Sequence, residues 1–375
     1  MGRFFAILLV VAACGDNFTP PPGQSGQGGG ATPNANAPLT PRFVPEVCGV
    51  REWSSVIAGS PAMNVSVVGR SSFGGAPTGA DLLAVPTAGG TMTGFAVDTR
   101  MDVKGGANGV KVPIDDMFTA VSASQIDGRL VATAADIGAV RLSLLDDRLG
   151  NPREIAKLPL GFIADPAVFM ADGARFVPIA NDTGLVLHQF DAAWQPISSQ
   201  QVATTSEPAT GMTATQFGQT TLAVWSTQNT CNLMMLSTLS PNLGSQIAVP
   251  CAAPRIAAEA ANGTATLVFE GGNAVRLMHI SHTQMGGGSA MVRPGATSPR
   301  VVFDGQRYWV SYLDVRGDVI VGFVDGDGQV VSMSLAGPQP QHGAYELAMV
   351  DNAPWVFSLD ATGYTAHRMC IVQEQ

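Results

Sequence analysis

Apolar residues occur in short runs along most of the chain, and turns rich in Asp and Gly separate the runs. The clearest stretch lies between residues 298 and 335, where four such runs cover 298–305, 307–314, 318–325 and 330–335. Short apolar runs bounded by turn residues are typical of strands joined by hairpins. The stretch therefore predicts a four-stranded antiparallel meander.

This unit recurs along the chain with a period of about 45 residues, which is typical of propeller or solenoid repeats. A turn glycine lies between the first two predicted strands, at Gly128, Gly173, Gly218, Gly263 and Gly305, with Asn352 at the same place in the last unit. A proline opens the unit at Pro166, Pro208, Pro254 and Pro299, and an acidic turn follows the second strand at Asp136, Asp182, Asp314 and Asp360. Gly and Asn tolerate a positive φ in hairpins, and Pro suits strand edges that need no donor.

Six clear units and one longer unit account for most of the chain. The six cover 119–162, 163–205, 206–251, 252–297, 298–340 and 341–375, and the longer one covers about 60–118, with strand candidates at 63–68, 81–86, 94–98 and 109–112. The pattern resembles a seven-bladed β-propeller, which implies an all-β fold of four-stranded antiparallel blades. The WD dipeptide, the kelch pattern, the Asp-box and the quinoprotein tryptophan motif are absent from the sequence. A β-solenoid is the alternative architecture.

The first residues have the order of a secretory signal: Arg3, an apolar stretch from Phe4 to Val11, and small residues before Cys14. The apolar stretch is too short to cross a bilayer as a helix. Val11-Ala12-Ala13-Cys14 resembles the lipobox of bacterial lipoproteins, which implies cleavage before Cys14 and acylation of that cysteine. An ordinary signal peptide is the alternative.

The predicted organisation therefore has three parts. Residues 1–13 form the signal peptide, residues 14–45 form a lipidated, disordered tether rich in Gly, Pro and Asn, and residues 46–375 form the propeller. The lipid on Cys14 would attach the protein to a membrane of the bacterial cell envelope, and we expect the outer membrane, on its periplasmic or surface face.

The overall charge argues against nucleic acid as a partner. The chain has 20 basic and 29 acidic residues, a formal net charge of −9. Such an acidic field repels phosphate backbones. Only 13% of residues are charged, and 43 are glycine, as expected for short strands and tight turns around a large core.

Four cysteines follow Cys14, and an even number in an exported chain predicts two disulfides. Cys231 and Cys251 flank the last hairpin of one unit, so we expect them to pair. Cys48 and Cys370 would then join the two ends of the ring, because the last unit lacks its outermost strand. We expect the segment Glu52–Pro61 to supply that strand. Four buried free thiols are the alternative.

Candidate chemical residues are few, and most have a structural interpretation. His188, His279, His282, His342 and His367 show no metal-ligand spacing, so we expect no metal and no cofactor. Asp325-Gly326-Asp327-Gly328 has the sequence of a hairpin turn and lacks the later ligands of a calcium loop. We expect solvated turns at Asp115-Asp116 and Asp146-Asp147, and packing between blades for Trp225, Trp309 and Trp355.

The sequence leaves two functions open. The first, which we favour, is a non-catalytic, monomeric binding or scaffold module whose loops contact a protein or glycan at the cell surface. The second is a propeller enzyme of the glycoside hydrolase or lyase type that acts on extracellular polysaccharide. A pair of carboxylates about 5 to 9 Å apart at the channel mouth would favour the enzyme.

Overall fold

A computed structural model describes much of the chain from Arg42 onward. All the described residues belong to one compact unit, Arg42–Gln375. They are 42–53, 62–71, 77–86, 91–98, 100, 103–104, 110–113, 120–126, 129–135, 139–145, 149, 153–159, 169–171, 174–217, 220–228, 230–236, 242–247, 249–259, 262–281, 288–337, 339–340, 343–359 and 363–374. Within these ranges no helix is long and apolar enough to span a bilayer. Cys14 and the predicted signal and tether up to Pro41 lie outside the described residues.

The regular structure of these residues is entirely β, arranged in seven antiparallel sheets. We number the sheets in chain order. Sheet 1 contains β2 (Ala62–Ser71), β3 (Pro77–Pro86), β4 (Thr91–Val97), β5 (Val103–Lys104) and β6 (Val110–Pro113). Sheet 2 contains β7 (Ala120–Ile126), β8 (Arg129–Ala135), β9 (Ala139–Leu145) and β10 (Arg153–Pro159). Sheet 3 contains β11 (Phe169–Ala171), β12 (Ala174–Asn181), β13 (Gly184–Phe190) and β14 (Pro196–Thr204).

The remaining sheets repeat the same meander. Sheet 4 contains β15 (Gly211–Phe217), β16 (Thr220–Ser226), β17 (Cys231–Leu236) and β18 (Asn242–Ile247). Sheet 5 contains β19 (Ala252–Glu259), β20 (Thr264–Glu270), β21 (Ala274–Ser281) and β22 (Ala290–Pro294). Sheet 6 contains β23 (Thr297–Phe303), β24 (Tyr308–Leu313), β25 (Val319–Val324) and β26 (Val330–Ser334). Sheet 7 contains β27 (Tyr345–Val350), β28 (Ala353–Leu359), β29 (Tyr364–Gln373) and β1 (Phe43–Trp53).

The core lies between sheets rather than within one layer. Each sheet contacts the next in chain order, and β27 of sheet 7 contacts β2 of sheet 1, so the succession closes on itself. A hydrophobic cluster fills each of these contacts. Trp225, Trp309 and Trp355 belong to three of the clusters, where each side chain is buried. Their predicted packing between neighbouring sheets is confirmed.

The repeated turn residues have the backbone conformations expected of them. Gly263, Gly305 and Asn352 each have a positive φ, of 62°, 95° and 54°. Two of the predicted opening prolines, Pro254 and Pro299, lie at register shifts in the first strands of sheets 5 and 6. A residue at a bulge has no partner in the strand ladder, so a proline there, which lacks a backbone N–H, removes no hydrogen bond. Gly128, Gly173, Gly218, Pro166, Asp136 and Asp360 lie outside the described residues.

Sheet 1 departs from the four-strand pattern, in keeping with the longer predicted unit. Its outermost position is divided between β5 and β6, which both pair with β4. The predicted strand candidates at 63–68, 81–86, 94–98 and 109–112 overlap β2, β3, β4 and β6.

The two ends of the described chain meet in sheet 7, as the sequence predicted. Strand β1 pairs antiparallel with β29, from Phe43 opposite Gln373 to Trp53 opposite Tyr364. The expectation that Glu52–Pro61 supplies this strand holds only for Glu52 and Trp53, because β1 begins nine residues earlier and residues 54–61 lie outside the described ranges. Residues 43–45, assigned to the tether from composition, are part of this strand.

Both predicted cysteine pairs are close enough to form disulfides. Cys48 lies at a bulge in β1, and its Cα is 5.8 Å from that of Cys370 in β29. Cys231 at the start of β17 lies 5.4 Å, Cα to Cα, from Cys251, which follows β18. Both distances are in the usual disulfide range. The first bond joins the two ends of the chain within sheet 7, and the second joins the last hairpin of sheet 4 to the segment that follows it.

Candidate functional site

A cavity of about 400 Å³ opens between sheets 2 and 3. Its lining combines cationic, small and aromatic side chains: Arg129, Leu144, Arg153, Arg175, Ala192, Ala193 and Trp194. It lies at the rim of the hydrophobic cluster that joins the two sheets, to which Leu144 and Trp194 also belong.

Sheet 2 supplies two of the arginines from one face. Leu144 on β9 pairs with Val131 on one side and with Arg153 on the other. Directly paired residues share a face of a sheet, and so do residues two apart in one strand. Arg129, two residues before Val131, therefore lies on the same face as Leu144 and Arg153. Both arginines are exposed, so their guanidinium groups are accessible to a ligand.

Sheet 3 supplies the third arginine in a fixed position. Arg175 is 7% exposed, and its Nη1 donates a hydrogen bond of 2.7 Å to the carbonyl oxygen of Asp191. Its guanidinium also lies 4.9 Å from the centre of the Trp194 ring, within the range of a cation–π contact. These contacts hold the Arg175 side chain in one orientation before any ligand binds.

Trp194 reaches the cavity through an unusual turn. Asp191 Oδ1 accepts hydrogen bonds from the backbone N–H groups of Ala193 and Gln195. The turns that begin at Asp314 and Asp325 have the same pattern two and four residues later. Their fourth residues are glycines with positive φ, Gly317 and Gly328, whereas sheet 3 has Trp194 there with a φ of 65°.

A bulky residue with positive φ carries a conformational cost, so its position must be held by packing. The Trp194 side chain is 5% exposed, and its ring centre is 5.8 Å from that of Phe190. The turn therefore accepts backbone strain at Trp194, and the tryptophan side chain closes the cavity on the side of sheet 3 and supports Arg175.

The part of the cavity lining that the structure describes is cationic. Three guanidinium groups line the cavity, and none of the described lining residues is a carboxylate. Among the described residues, two carboxylates close by in sequence are engaged elsewhere. Glu154 pairs with Arg141 at 2.8 Å on the opposite face of sheet 2, and Asp191 accepts hydrogen bonds from its own turn. The cavity can bind an anion, but this lining does not provide the two carboxylates of a glycoside hydrolase.

The histidines that the structure describes are spread over different sheets. His188 Nδ1 lies 2.8 Å from Ser199 Oγ, and His279 Nδ1 lies 3.0 Å from Thr266 Oγ1. Burial lowers the pKa of His188, His279 and His367 below the ordinary value. No group of three or more potential metal ligands occurs among the described residues, and His282 and His342 lie outside them.

The acidic motifs singled out in the sequence do not form a site within the described ranges. Asp325 Oδ1 accepts from the backbone N–H groups of Asp327 and Gln329, which confirms the predicted hairpin turn. Asp115-Asp116 and Asp146-Asp147 lie outside the described residues, as does the predicted lipidation residue Cys14.

A second polar cluster lies on the first strands of sheets 6 and 7, where Arg300 Nε donates to Glu346 Oε2 at 3.0 Å. The Arg300 guanidinium is also 5.2 Å from the Tyr345 ring centre and donates to the Pro299 carbonyl. Burial raises the pKa of Tyr345 above its ordinary value. Because Arg300 and Glu346 neutralise each other, this cluster is a structural connection between two sheets.

The cavity residues Arg129, Arg153, Arg175 and Trp194 were not predicted as a site. A weak signal was present, since an arginine follows the repeated Asp-Gly turn in Asp127-Gly128-Arg129, Asp172-Gly173-Ala174-Arg175 and Asp304-Gly305-Gln306-Arg307. That pattern places arginines at equivalent ends of second strands. Nothing in it shows that Arg153 and a buried tryptophan complete the same cavity.

Comparison with known proteins supports the fold. No protein-family model matches the sequence, and comparison with curated proteins gives no match either. Among solved structures, the chain is similar to the WD40 domain of coronin from Toxoplasma gondii, with a TM-score of 0.61 and 11% identity over 90% of this chain and 88% of that one. At this identity the likeness concerns the fold alone, a WD40-like propeller.

Proposed function

We propose that the protein is a lipid-anchored, extracytoplasmic binding module for a partner protein, built on a seven-bladed β-propeller. In this proposal each of the seven sheets is one blade, and β1 completes the last blade. The single observation that carries the binding role is the arginine-lined cavity between sheets 2 and 3, supported on both sides by a packed core.

The architecture favours binding over catalysis. Packed sheets form a rigid frame, and a preformed cavity on such a frame binds without a large ordering cost. Its guanidinium groups are hydrogen-bond donors without an acceptor, so they can orient an anionic group. The WD40-like fold supports a protein as partner, since folds of this kind commonly serve as protein-binding scaffolds.

The envelope location rests on the lipobox-like segment that ends at Cys14 and on the two cysteine pairs. Disulfides persist in oxidising compartments, which agrees with export. Acylation of Cys14 would keep the propeller at a membrane.

Anchorage is tested by growing a bacterial host that produces the full chain with a clickable fatty acid. We expect label on the wild type and none on Cys14→Ala, which should stay unprocessed or be released. Cys48→Ala is the matched control, because it removes another cysteine and should keep the label. Label that persists on Cys14→Ala would refute the anchor.

The binding role is tested with the processed full-length protein purified in detergent. The protein is used to select ligands from a random displayed peptide library, with a glycan array as the parallel measurement. Enrichment of specific peptides supports a protein-binding module. Glycan binding without peptide enrichment would replace the partner class, and no specific ligand in either format would contradict the proposed function.

A further inference from the structure

The charge of the described cavity lining is opposite to that of the whole chain. The protein has a formal net charge of −9, yet three arginines line this one cavity. Nearby Glu154 is paired with Arg141, so it does not neutralise Arg153. A local concentration of guanidinium groups with no carboxylate in the described lining has the chemistry of an oxyanion site.

The three arginines differ in exposure, in a way that suits recognition. Arg175 is buried and fixed by the Asp191 carbonyl and the Trp194 ring. Arg129 and Arg153 are exposed on the facing sheet. A bound anion would meet a preoriented guanidinium on one side and two that can close on it from the other. Such an arrangement loses less side-chain entropy than three free arginines would.

The size and apolar part of the lining indicate more than a free inorganic anion. About 400 Å³ lies in the range of small-molecule and side-chain pockets. Leu144 and Trp194 are buried below the cavity, and the small exposed residues Ala192 and Ala193 line it. This lining fits a carboxylate carried on an aliphatic stem, with neighbouring residues of a chain resting on the alanines.

The field of the whole molecule selects against highly charged ligands. A polyanion such as a sulfated glycan or nucleic acid would extend beyond the three arginines and be repelled by the net negative charge of the chain. A short peptide with one or two carboxylates presents its charge only to the cavity. Overall charge and local charge together therefore favour an acidic peptide segment.

We infer that the cavity between sheets 2 and 3 binds a Glu- or Asp-containing segment of a partner protein, whose carboxylate is held by Arg129, Arg153 and Arg175. This inference rests on the proposed function and specifies the chemistry of the partner.

The test measures fluorescence anisotropy of a short labelled peptide of alternating Glu and Leu with the processed full-length protein. We expect the Gln-for-Glu counterpart to bind about tenfold more weakly or worse, because charge-assisted hydrogen bonds are lost. The double variant R129Q/R153Q should weaken binding of the Glu peptide by about tenfold or more, and added salt should weaken it further.

The matched control is R293Q/R316Q, which removes the same charge from two exposed arginines outside the cavity lining. It should leave the affinity within about twofold of the wild type, which is a small difference in binding free energy. Thermal unfolding of both double variants shows that they fold, as expected for exposed positions.

Three outcomes would overturn the inference. The first is equal loss of affinity in both double variants, and the second is binding that does not distinguish the Glu from the Gln peptide. The third is displacement of the peptide by heparin or inorganic phosphate at lower concentrations than by unlabelled Glu peptide. The library selection distinguishes failure of this inference from failure of the proposed function. If the enriched peptides contain no Glu or Asp, the protein is still a binding module, but the cavity does not recognise carboxylates.

Discussion

The bond between Cys48 and Cys370 should stabilise the protein more than the bond between Cys231 and Cys251. The first closes a loop of 322 residues and the second a loop of 20. The chain-entropy treatment gives about 5.8 kcal/mol for the long loop and about 3.3 kcal/mol for the short one at 25 °C. Measured gains usually fall below these values, so the informative quantity is the difference, about 2.5 kcal/mol in favour of the terminal bond.

The experiment compares C48A/C370A and C231A/C251A with the wild type by equilibrium unfolding in guanidinium chloride. Cys231 and Cys251 are buried, so alanine there also leaves unfilled space. Each variant is therefore compared with the wild type twice, in oxidising and in reducing buffer. The difference in unfolding free energy between variant and wild type in reducing buffer contains only the packing contribution. Subtracting it from the difference in oxidising buffer leaves the effect of the cross-link.

The structure gives a reason why the terminal bond matters beyond its loop length. Strand β1 is joined to its sheet only by pairing with β29, and the bond lies within that pairing. Opening here separates sheet 7 from its last strand and frees the chain ends. A cross-link effect for the terminal pair that equals or falls below that of the local pair would refute this reasoning.

Three further predictions concern the pairing of β1 with β29, a turn and the histidines. Deleting residues 42–53 should cause a large loss of unfolding free energy, measured by denaturant unfolding, whereas deleting residues 16–40 should change it little; equal effects would contradict closure by β1. D304N should lower the unfolding free energy by about 1 to 3 kcal/mol, because Asp304 Oδ2 accepts a hydrogen bond from the indole N–H of buried Trp309 at 2.7 Å. The control D327N, in an exposed turn, should have little effect. Equal losses of unfolding free energy in the two variants would count against the contribution of the Trp309 hydrogen bond. The free energy of unfolding should fall as the pH drops below about 6.5. Burial lowers the pKa of His188 and His367 in the folded state, so the unfolded chain binds more protons in this pH range. H188N should reduce the pH dependence of the unfolding free energy in denaturant titrations, and an unchanged dependence would contradict this explanation.

The repeat could be predicted from the sequence because hairpin geometry is local. A turn residue such as Gly305 or Asn352 recurs in each of the six clear units, and an opening proline such as Pro254 or Pro299 recurs in four of them. Each signal acts over a few residues, so one well-marked unit predicts the others. The four runs predicted between residues 298 and 335 overlap β23, β24, β25 and β26 for this reason.

The closing strand was misplaced because its pairing is not local. Phe43–Trp53 and the segment that follows it both contain strand-forming residues, and the Pro- and Gly-rich composition before Pro45 is typical of a linker. The choice between them depends on pairing with β29, more than three hundred residues away. The even number of cysteines indicated that the closing strand pairs with the strand that contains Cys370. Composition does not determine the register of that pairing.

The cavity could not be predicted for a related reason. Arg129 and Arg153 lie on sheet 2, whereas Arg175 and Trp194 lie on sheet 3. Their proximity depends on how two sheets pack, and on a turn in which tryptophan occupies the place that glycine has in equivalent turns. A positive φ at Trp194 contradicts local preference, and such exceptions are more common at functional sites than elsewhere.

Photo-crosslinking shows directly whether an acidic peptide binds in the cavity. The probe is a Glu-containing peptide that carries a benzophenone group beside its carboxylate. After irradiation with the processed full-length protein, mass spectrometry identifies the modified peptides. We expect adducts at the cavity lining, on Arg153 or on the turn Ala192–Trp194, and their loss in R129Q/R153Q. Adducts concentrated on the first strands around Arg300 and Glu346, and unchanged in that variant, would contradict this expectation.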